Sequence, residues 1–182
     1  MRWVGWLAAA ALLSLGGCVA YSPEVDRQAS PKPGMAYLAG IFRDESAKGQ
    51  RKLGISYEHV ETATTHTFEF QKDGKAELQV IEVPAGTYRV RDWFMASGLT
   101  NEVMVRGKPQ GALFTRQFKV APDQVHYLGE YVGSGTVTPA GTIVYYNANM
   151  RPLRILPAPR DERALAERFP NFGKLPLKAA YL

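Results

Sequence analysis

Short runs rich in β-branched and aromatic residues recur along the chain, separated by residues that favour turns. In one run, Tyr88 and Val90 alternate with Arg89 and Arg91, which is the period of a strand with one apolar and one solvated face. Runs of this kind are typical of an antiparallel all-β domain. The pattern predicts strands at residues 35–43, 53–59, 64–70, 77–83, 87–95, 113–120, 125–132 and 142–148.

Two local signals complete the predicted elements. Asp73-Gly74 lies between two of the runs, and Asp-Gly is a strong signal for a tight hairpin. Residues 161–169 are rich in helix formers, carry acidic residues in the first turn and end before Pro170. The predicted fold is therefore an antiparallel β-sandwich with one short C-terminal helix.

The predicted helix is too short to be stable alone in water. Its apolar residues Leu165 and Phe169 are four positions apart, so they lie on one face. We expect these two residues and Phe172 to pack on the sandwich, because burying a large apolar side chain contributes roughly 1.5 to 3 kcal/mol. The chain from Lys174 to Leu182 has only scattered apolar residues and is expected to be looser.

Residues 1–17 have the composition of a secretory signal peptide. A single basic residue, Arg2, precedes a nearly uncharged apolar run that ends in small residues. The run is shorter than the roughly 20 apolar residues of a membrane-spanning helix. The residue that follows the predicted signal is Cys18, which is the only cysteine and therefore has no partner for an intramolecular disulfide.

The segment Leu15-Gly16-Gly17-Cys18 resembles the lipobox of bacterial lipoproteins. The resemblance implies cleavage before Cys18 and acylation of that cysteine, with palmitate among the chains, since stable anchoring needs more than one chain. Val19 stands where an aspartate would resemble an inner-membrane retention signal. The expected location is the outer membrane of the cell envelope, on its periplasmic face. An ordinary secreted protein with an incidental cysteine is the alternative.

The residues after the cysteine have the composition of a linker. Residues 18–33 contain three Xaa-Pro pairs and little apolar periodicity, and a flexible stretch of this length spans roughly 20 Å. The expected organisation is a signal peptide at 1–17, a lipidated N-terminus and tether at 18–33, a β-sandwich at 34–157, and a helix and tail packed on it at 158–182. The net charge of +5 comes without a Lys/Arg block, so no nucleic-acid partner is expected.

Two stretches share the order strand, proline turn, strand, like two versions of one hairpin. The residues that carry the pattern are Val83, Pro84, Gly86 and Tyr88 in the first, Phe118, Val120, Tyr127 and Gly129 in the second, and Asp161, Phe169 and Pro170 in the tail. They resemble bacterial lipoproteins of unknown function with a transthyretin-like (carboxypeptidase-regulatory-like) β-sandwich domain. The resemblance covers residues 77–132 and the tail. It implies a transthyretin-like sandwich, with an immunoglobulin-like one as the alternative, and an envelope address, but no chemistry.

Candidate catalytic residues are not predicted. The three histidines, His59, His66 and His126, stand in no ligand-spaced motif, and no serine lies in a nucleophile elbow. The sequence therefore predicts no catalytic site, metal or cofactor. The Gly-Ser-Gly stretch at 133–135 is expected to be a flexible hairpin tip. Asp92 and Glu130 would form an acid pair only if their strands were neighbours, and are otherwise expected to be exposed or paired with Arg89 or Arg91.

A candidate interface comes from adjacent tyrosines. Tyr145 and Tyr146 point to opposite faces of a predicted strand, so one is expected in the core and one exposed. Exposed tyrosines beside arginines such as Arg151 and Arg154 are favoured at protein interfaces, with ordinary sheet packing as the alternative.

The expected function follows from these features together. We expect a non-enzymatic lipoprotein, held on the membrane by its lipid, whose sandwich binds or scaffolds another envelope component, with an envelope protein as the expected partner. The alternative is a ligand carrier or hydrolase-like enzyme with a pocket between the sheets or under the C-terminal segment.

Overall fold

A computed structural model describes residues 19–46, 49, 51–72, 75–108 and 111–182. These residues form eleven strands and two helices. The strands are β1 (Ala36–Asp44), β2 (Arg51–His59), β3 (Thr65–Glu69), β4 (Gln71–Lys72), β5 (Leu78–Val83), β6 (Gly86–Ser97), β7 (Val103–Gly107), β8 (Phe118–Val120), β9 (Val125–Ala140), β10 (Ile143–Arg154) and β11 (Leu177–Ala179). The helices are α1 (Ala112–Thr115) and α2 (Pro159–Arg168).

The strands form two sheets. The first has the order β10-β9-β1-β4, with β5 also paired to β1 and β11 to β9, and the second has the order β3-β2-β6-β7, with β8 paired to β6. The first sheet is mixed, because β1 runs parallel to β9 and β4 but antiparallel to β5. The expectation of a purely antiparallel fold is therefore corrected. A parallel pair needs a long crossover connection, and here the whole second sheet lies in the chain between β1 and β9.

The two sheets pack face to face around an aromatic core. Phe42 of the first sheet lies 4.6 Å from Phe68 of the second and 5.5 Å from Tyr131 of its own sheet, measured between ring centroids. Tyr57 meets Phe68 edge to face at 6.0 Å, an arrangement that aromatic pairs prefer. All four rings are buried, so the space between the sheets is filled by side chains.

The outer face of the first sheet is covered as well. The predicted helix at 161–169 is confirmed as α2, and its residues Leu165 and Phe169 are buried together with Phe172. They form a second core, here called the outer core, with outward-facing strand residues such as Tyr37 and Tyr127. The central strand β1 is therefore covered on both faces and almost continuously buried, as expected of a strand in a sheet covered on both sides.

The segment expected to be a tether lies against both sheets. The backbone N–H of Ser22 donates to Thr67 on the edge of the second sheet at 2.9 Å, and the N–H of Val25 donates to Val80 of the first sheet at the same distance. Val25 also packs in the outer core. The segment has the proline-rich composition of a linker, but it does not hang free, because open strand edges of both sheets accept its hydrogen bonds. The sequence alone does not show that these edges are open.

The C-terminal tail also pairs with a strand edge. The sequence predicted a looser tail. Its strand β11 pairs in parallel with the start of β9. Ala180 and Tyr181 enter the core between the sheets, where the Tyr181 hydroxyl lies 3.2 Å from that of Tyr131 and 3.4 Å from that of Tyr57. Strand pairing and the burial of Ala180 and Tyr181 therefore hold the tail against the domain.

The two proline turns prove to be crossovers between the sheets, which corrects the hairpin interpretation. Residues 83–86 join β5 of the first sheet to β6 of the second, and residues 120–125 join β8 of the second to β9 of the first. Asp73 and Gly74 lie outside the described residues. The strands on either side, β4 and β5, both pair with β1 rather than with each other.

Other local predictions also differ from the structure. Residues 113–120 include the short helix α1 before β8 begins, and residues 133–135 lie inside the long strand β9 rather than at a hairpin tip. The short strands β7 and β11 were not predicted. Within the described ranges, neither helix has the length and apolar character that spanning a bilayer requires.

Candidate functional site

The end of β9 and the start of β10 form a hairpin that runs past the second sheet. Residues 136–147, here called the hairpin arm, pair in register from Thr136 opposite Asn147 to Ala140 opposite Ile143, and every one of them is exposed. A short turn with Gly141 in the left-handed region, at φ 64°, connects the strands. The arm is thus a two-stranded ribbon with solvent on both faces.

One face of the hairpin arm continues the core of the protein. A Cβ on Gly133 would lie 2.9 Å from Cδ1 of Leu53 in the second sheet, and a Cβ on Gly135 would lie 2.7 Å from Sδ of Met95 in the same sheet. Beyond them the same face presents Val137 and Tyr146, which are opposite each other in the register and have no covering strand in the described structure. Large apolar and aromatic residues therefore continue along this face of the arm into solvent.

Both tyrosines of the candidate interface are exposed, at 58% for Tyr145 and 42% for Tyr146. The expectation that one would be buried is wrong, because both lie in the first part of β10, which projects beyond the second sheet. Ile143 and Val144 beside them are 57% and 43% exposed. Four consecutive large apolar or aromatic residues thus lie along the second strand of the arm, from its turn almost to its base. Such an arrangement marks interaction sites.

The two arginines of the candidate interface lie in different surroundings. Arg151 is exposed in β10, opposite Val132. Arg154 donates through both Nη atoms to Asp161, with Nη2 to Oδ1 at 3.0 Å, and its guanidinium lies 5.5 Å from the centroid of the Tyr127 ring. Arg154 is therefore held against α2 and is not part of the exposed surface of the arm.

A second candidate feature is the ion cluster between β9 and α2, formed by Arg43, Glu130, Arg154, Arg160 and Asp161. Glu130 accepts from Arg43 at 2.5 Å, from Arg154 at 3.3 Å and from Arg160. The side chains of Glu130 and Asp161 are only 5% and 1% exposed, so each carboxylate depends on its guanidinium partners for compensation.

A bulge in β9 turns Glu130 towards this cluster. Opposite β1, the register passes from Tyr127 to Gly129 and leaves Leu128 unpaired, and Gly129 has φ 127°. The extra residue keeps Glu130 on the face that carries Tyr127, whereas strict alternation would turn it inward. A Cβ at Gly129 would lie 2.7 Å from the carbonyl oxygen of Arg154, so glycine is required here.

The electrostatics of the cluster favour charged carboxylates. Burial alone would raise the pKa of Asp161, but hydrogen bonds from Arg154 and from the Ala158 N–H outweigh it, and the pKa lies below its ordinary value. Arg154 accordingly has its pKa raised by its hydrogen bond to Asp161. A general acid needs a raised carboxyl pKa, so Asp161 is arranged for ion pairing rather than proton donation.

Compared with known proteins, the chain matches no family model and no curated protein. One solved structure with which it was matched is a leucine-rich repeat protein from Bacteroides thetaiotaomicron, with 19% identity and a TM-score of 0.35. That match covers 56% of this chain and only 12% of the other. At such a TM-score the likeness carries no argument about fold or function.

A cleft of about 460 Å³ opens beside the ion cluster, beneath α2. Its charged walls include Arg27, Arg168, Glu77 and Glu167 in addition to members of the cluster. Arg168 pairs with both Glu77 and Glu24, which leaves the cleft with matched charges of both signs. The cleft lies under the C-terminal segment, not between the sheets.

The three histidines occupy structural positions. His59 Nδ1 lies 2.9 Å from the hydroxyl of Thr62, and His126 Nε2 accepts from the Ala121 N–H at 2.9 Å. Burial lowers the pKa of both His66 and His126, because it disfavours the charged imidazolium. Among the described residues, no group of three acidic, histidine or cysteine side chains is placed to share a metal ion.

Asp92 and Glu130 do not form an acid pair, since they lie in different sheets. Asp92 is buried and accepts from Arg106 at 2.5 Å, so it is paired with an arginine from the neighbouring strand β7. Cys18, the predicted lipidation site, lies outside the described residues. The uncharged hairpin arm was missed by sequence reasoning. The signal for it was available, because no charged residue occurs between Glu130 and Arg151.

Proposed function

We propose that this protein is a membrane-anchored lipoprotein of the cell envelope, located at the outer membrane, that presents the hairpin arm to another envelope component and catalyses no reaction. In this proposal its two sheets are a transthyretin-like sandwich, as the proline-turn motifs suggest, and Cys18 carries the lipid. The proposal joins the signal-like residues 1–17 to a domain whose most distinctive surface is an interaction surface.

The observation that carries the proposal is the exposure of Ile143, Val144, Tyr145 and Tyr146 along the second strand of the hairpin arm. Soluble domains rarely leave such a row uncovered unless it binds something. Tyrosine supplies a large apolar contact area and a polar hydroxyl, which suits it to surfaces that are wet when free and dry when bound.

The attachment of the segment after Cys18 to the domain supports the same function. The segment after Cys18 is hydrogen bonded to both sheets, so a lipid on Cys18 would be joined directly to the domain that carries the arm. A short, fixed connection holds the arm at a defined distance from the membrane, whereas a flexible linker would let it wander over roughly 20 Å.

The anchor is tested by labelling cells with a palmitate analogue that bears a detectable group. The wild-type protein is expected to carry the label and to fractionate with outer membranes, and Cys18→Ala is expected to lose both properties. An unlabelled wild-type protein in the soluble periplasm would contradict the proposed anchor.

The binding role is tested with a photo-reactive residue at Tyr145 in living cells. Adducts are expected from position 145 but not from Lys119, an exposed residue of β8 at the other end of β6. The size of the adduct shows whether the component is a protein or a lipid. Equal yields from the two positions would contradict a binding role for the arm.

A ligand carrier is the second candidate, and the cleft of about 460 Å³ beneath α2 is the observation that favours it. Its paired charges suit a small ligand with groups of both signs. Native mass spectrometry of protein purified from membranes is expected to show a bound small molecule if the cleft is occupied, and Arg160→Ala should lose it. A single mass equal to that of the acylated chain would contradict the carrier.

A further inference from the structure

The described chain starts at a defined corner of the molecule. The N–H of Val19 donates to the carbonyl oxygen of Asn101 at 3.1 Å. Asn101 lies in the turn between β6 and β7, which is closed by hydrogen bonds between Ser97 and both Asn101 and Glu102. Cys18 directly precedes Val19 in the chain. A lipid on Cys18 would therefore leave the protein beside this turn.

The hairpin arm leaves the molecule at the same end. A Cβ on Gly135 would lie 2.7 Å from Sδ of Met95, which is two residues before Ser97 in β6. The strand β7, which follows the turn, packs against β10. Beyond Gly135, the five residues of β9 in the arm extend the ribbon by about 17 Å at the usual rise of a strand. The free end of the arm therefore projects from the corner where Val19 lies.

The chemistry of this corner suits a lipid surface. The arm has no charged residue, and Leu99 in the adjacent turn is 75% exposed. Tyrosine side chains are enriched where membranes meet water, because the ring is apolar and the hydroxyl is wet.

We infer that the component met by the hairpin arm is the membrane itself, with Ile143, Val144, Tyr145 and Leu99 resting in the headgroup region beside the lipid of Cys18. This inference rests on the proposed lipidation. A two-stranded ribbon leaves backbone groups on its outer edges, and these need water or headgroups as partners. The arm therefore lies in the interface and does not enter the hydrocarbon core.

This contact gives the domain a fixed orientation. The lipid is one attachment and the arm is a second, so the sheets stand on the membrane by one end. The outer core, where α2 packs on Tyr37 and Tyr127 at the start of β9, then lies away from the membrane. The cleft beneath α2 would remain open to the periplasm.

The test uses acylated full-chain protein in vesicles of phosphatidylethanolamine and phosphatidylglycerol whose acyl chains carry bromine, a quencher of tryptophan fluorescence. When the signal peptide is cleaved, Trp3 and Trp6 leave with it, and Trp93 is the only native tryptophan that remains. Excitation at the red edge of the absorption band avoids the tyrosines. The emission that Tyr145→Trp adds to that of Trp93 is expected to be much weaker in brominated vesicles than in ordinary ones. Lys119→Trp, at the opposite end of the sheets, is expected to lose none.

A charged residue in the arm provides the second measurement. Val144→Glu in the Tyr145→Trp background is expected to restore the emission, because a carboxylate disfavours contact with lipid. Equal emission of Tyr145→Trp in both kinds of vesicle, with protein that floats with them, would overturn the inference.

The two proposals fail in different ways. If the wild-type protein carries no acyl chain and does not float with vesicles, the proposed anchor is wrong. If it floats and Cys18→Ala does not, but the tryptophan at position 145 is unquenched, the anchor stands and only the membrane contact of the arm is wrong.

Discussion

Asp161 links two parts of the protein through a single carboxylate. It accepts from the Ala158 N–H at 2.6 Å, which satisfies a free donor at the start of α2. It also forms a two-point ion pair with Arg154 of β10. The sequence indicated the first role through the acidic first turn of the helix, but the partner in β10 depends on where that strand ends.

We expect Asp161→Ala to lower the free energy of unfolding by about 3 to 5 kcal/mol, because it leaves the guanidinium of Arg154 partly buried without its main partner. Glu162→Ala, at the exposed neighbouring position, is the matched control and should change it by less than about 0.5 kcal/mol. Urea unfolding of both variants measures the difference. Equal losses would show that Asp161 acts only through helix propensity.

The lowered pKa of Asp161 also predicts a pH dependence. A carboxyl whose folded pKa is below its unfolded value of about 3.9 stabilises the protein fully above that value, and the contribution is lost as the pH falls through the folded pKa. Wild-type protein should therefore be more stable than Asp161→Asn at pH 7, and the gap should shrink as the pH falls below about 3.9. A gap that is constant with pH would contradict the ion pairing of Asp161.

The strand β11 shows how a short element can close a core. It has three residues, yet it continues into Ala180 and Tyr181, which lie between the sheets. The ring of Tyr181 meets Phe118 edge to face at 4.9 Å, and its hydroxyl completes a buried group with Tyr57 and Tyr131. The ring therefore contributes more to stability than the hydroxyl does.

Two variants of Tyr181 separate these contributions. Tyr181→Ala is expected to cost about 3 to 5 kcal/mol of unfolding free energy through the lost ring and the cavity it leaves. Tyr181→Phe keeps the ring and should cost only about 0.5 to 1.5 kcal/mol. Thermal and urea unfolding distinguish them. Similar costs for the two variants would show that the hydroxyl group, not packing, holds the tail.

The attachment of residues 19–33 determines how the whole domain would stand on a membrane. Their hydrogen bonds to Thr67 and Val80 bridge the two sheets along open strand edges. A segment bound in this way transmits the position of Cys18 to the domain, and with the hairpin arm it makes two attachments at one end.

Hydrogen exchange tests this attachment. The amides of Ser22 and Val25 are expected to exchange far more slowly than those of an unstructured peptide, because each donates to a strand edge. Mass spectrometry of peptides that cover residues 19–33 measures the rates. Exchange as fast as in a free peptide would restore the interpretation of this segment as a flexible tether.

The sequence by itself determined what depends on neighbouring residues. Alternation around Tyr88 and Val90 predicted a strand, and the spacing of Leu165 and Phe169 predicted a docked helix, since both periods are properties of the local backbone. The lipobox-like residues before Cys18 likewise predict an anchor without any fold. The Val-Met-Val run of β7 offered the same kind of signal, although it was not read as a strand.

Tertiary structure decided which strands pair and which surfaces stay open. Whether a proline turn forms a hairpin or crosses between sheets depends on partners distant in sequence, as does the parallel pairing of β1 with β9. The same holds for Tyr145 and Tyr146, whose exposure follows from the point at which the second sheet ends. Local patterns specify the faces of a strand, but burial is a property of what is packed against each face, and only the assembled fold contains that information.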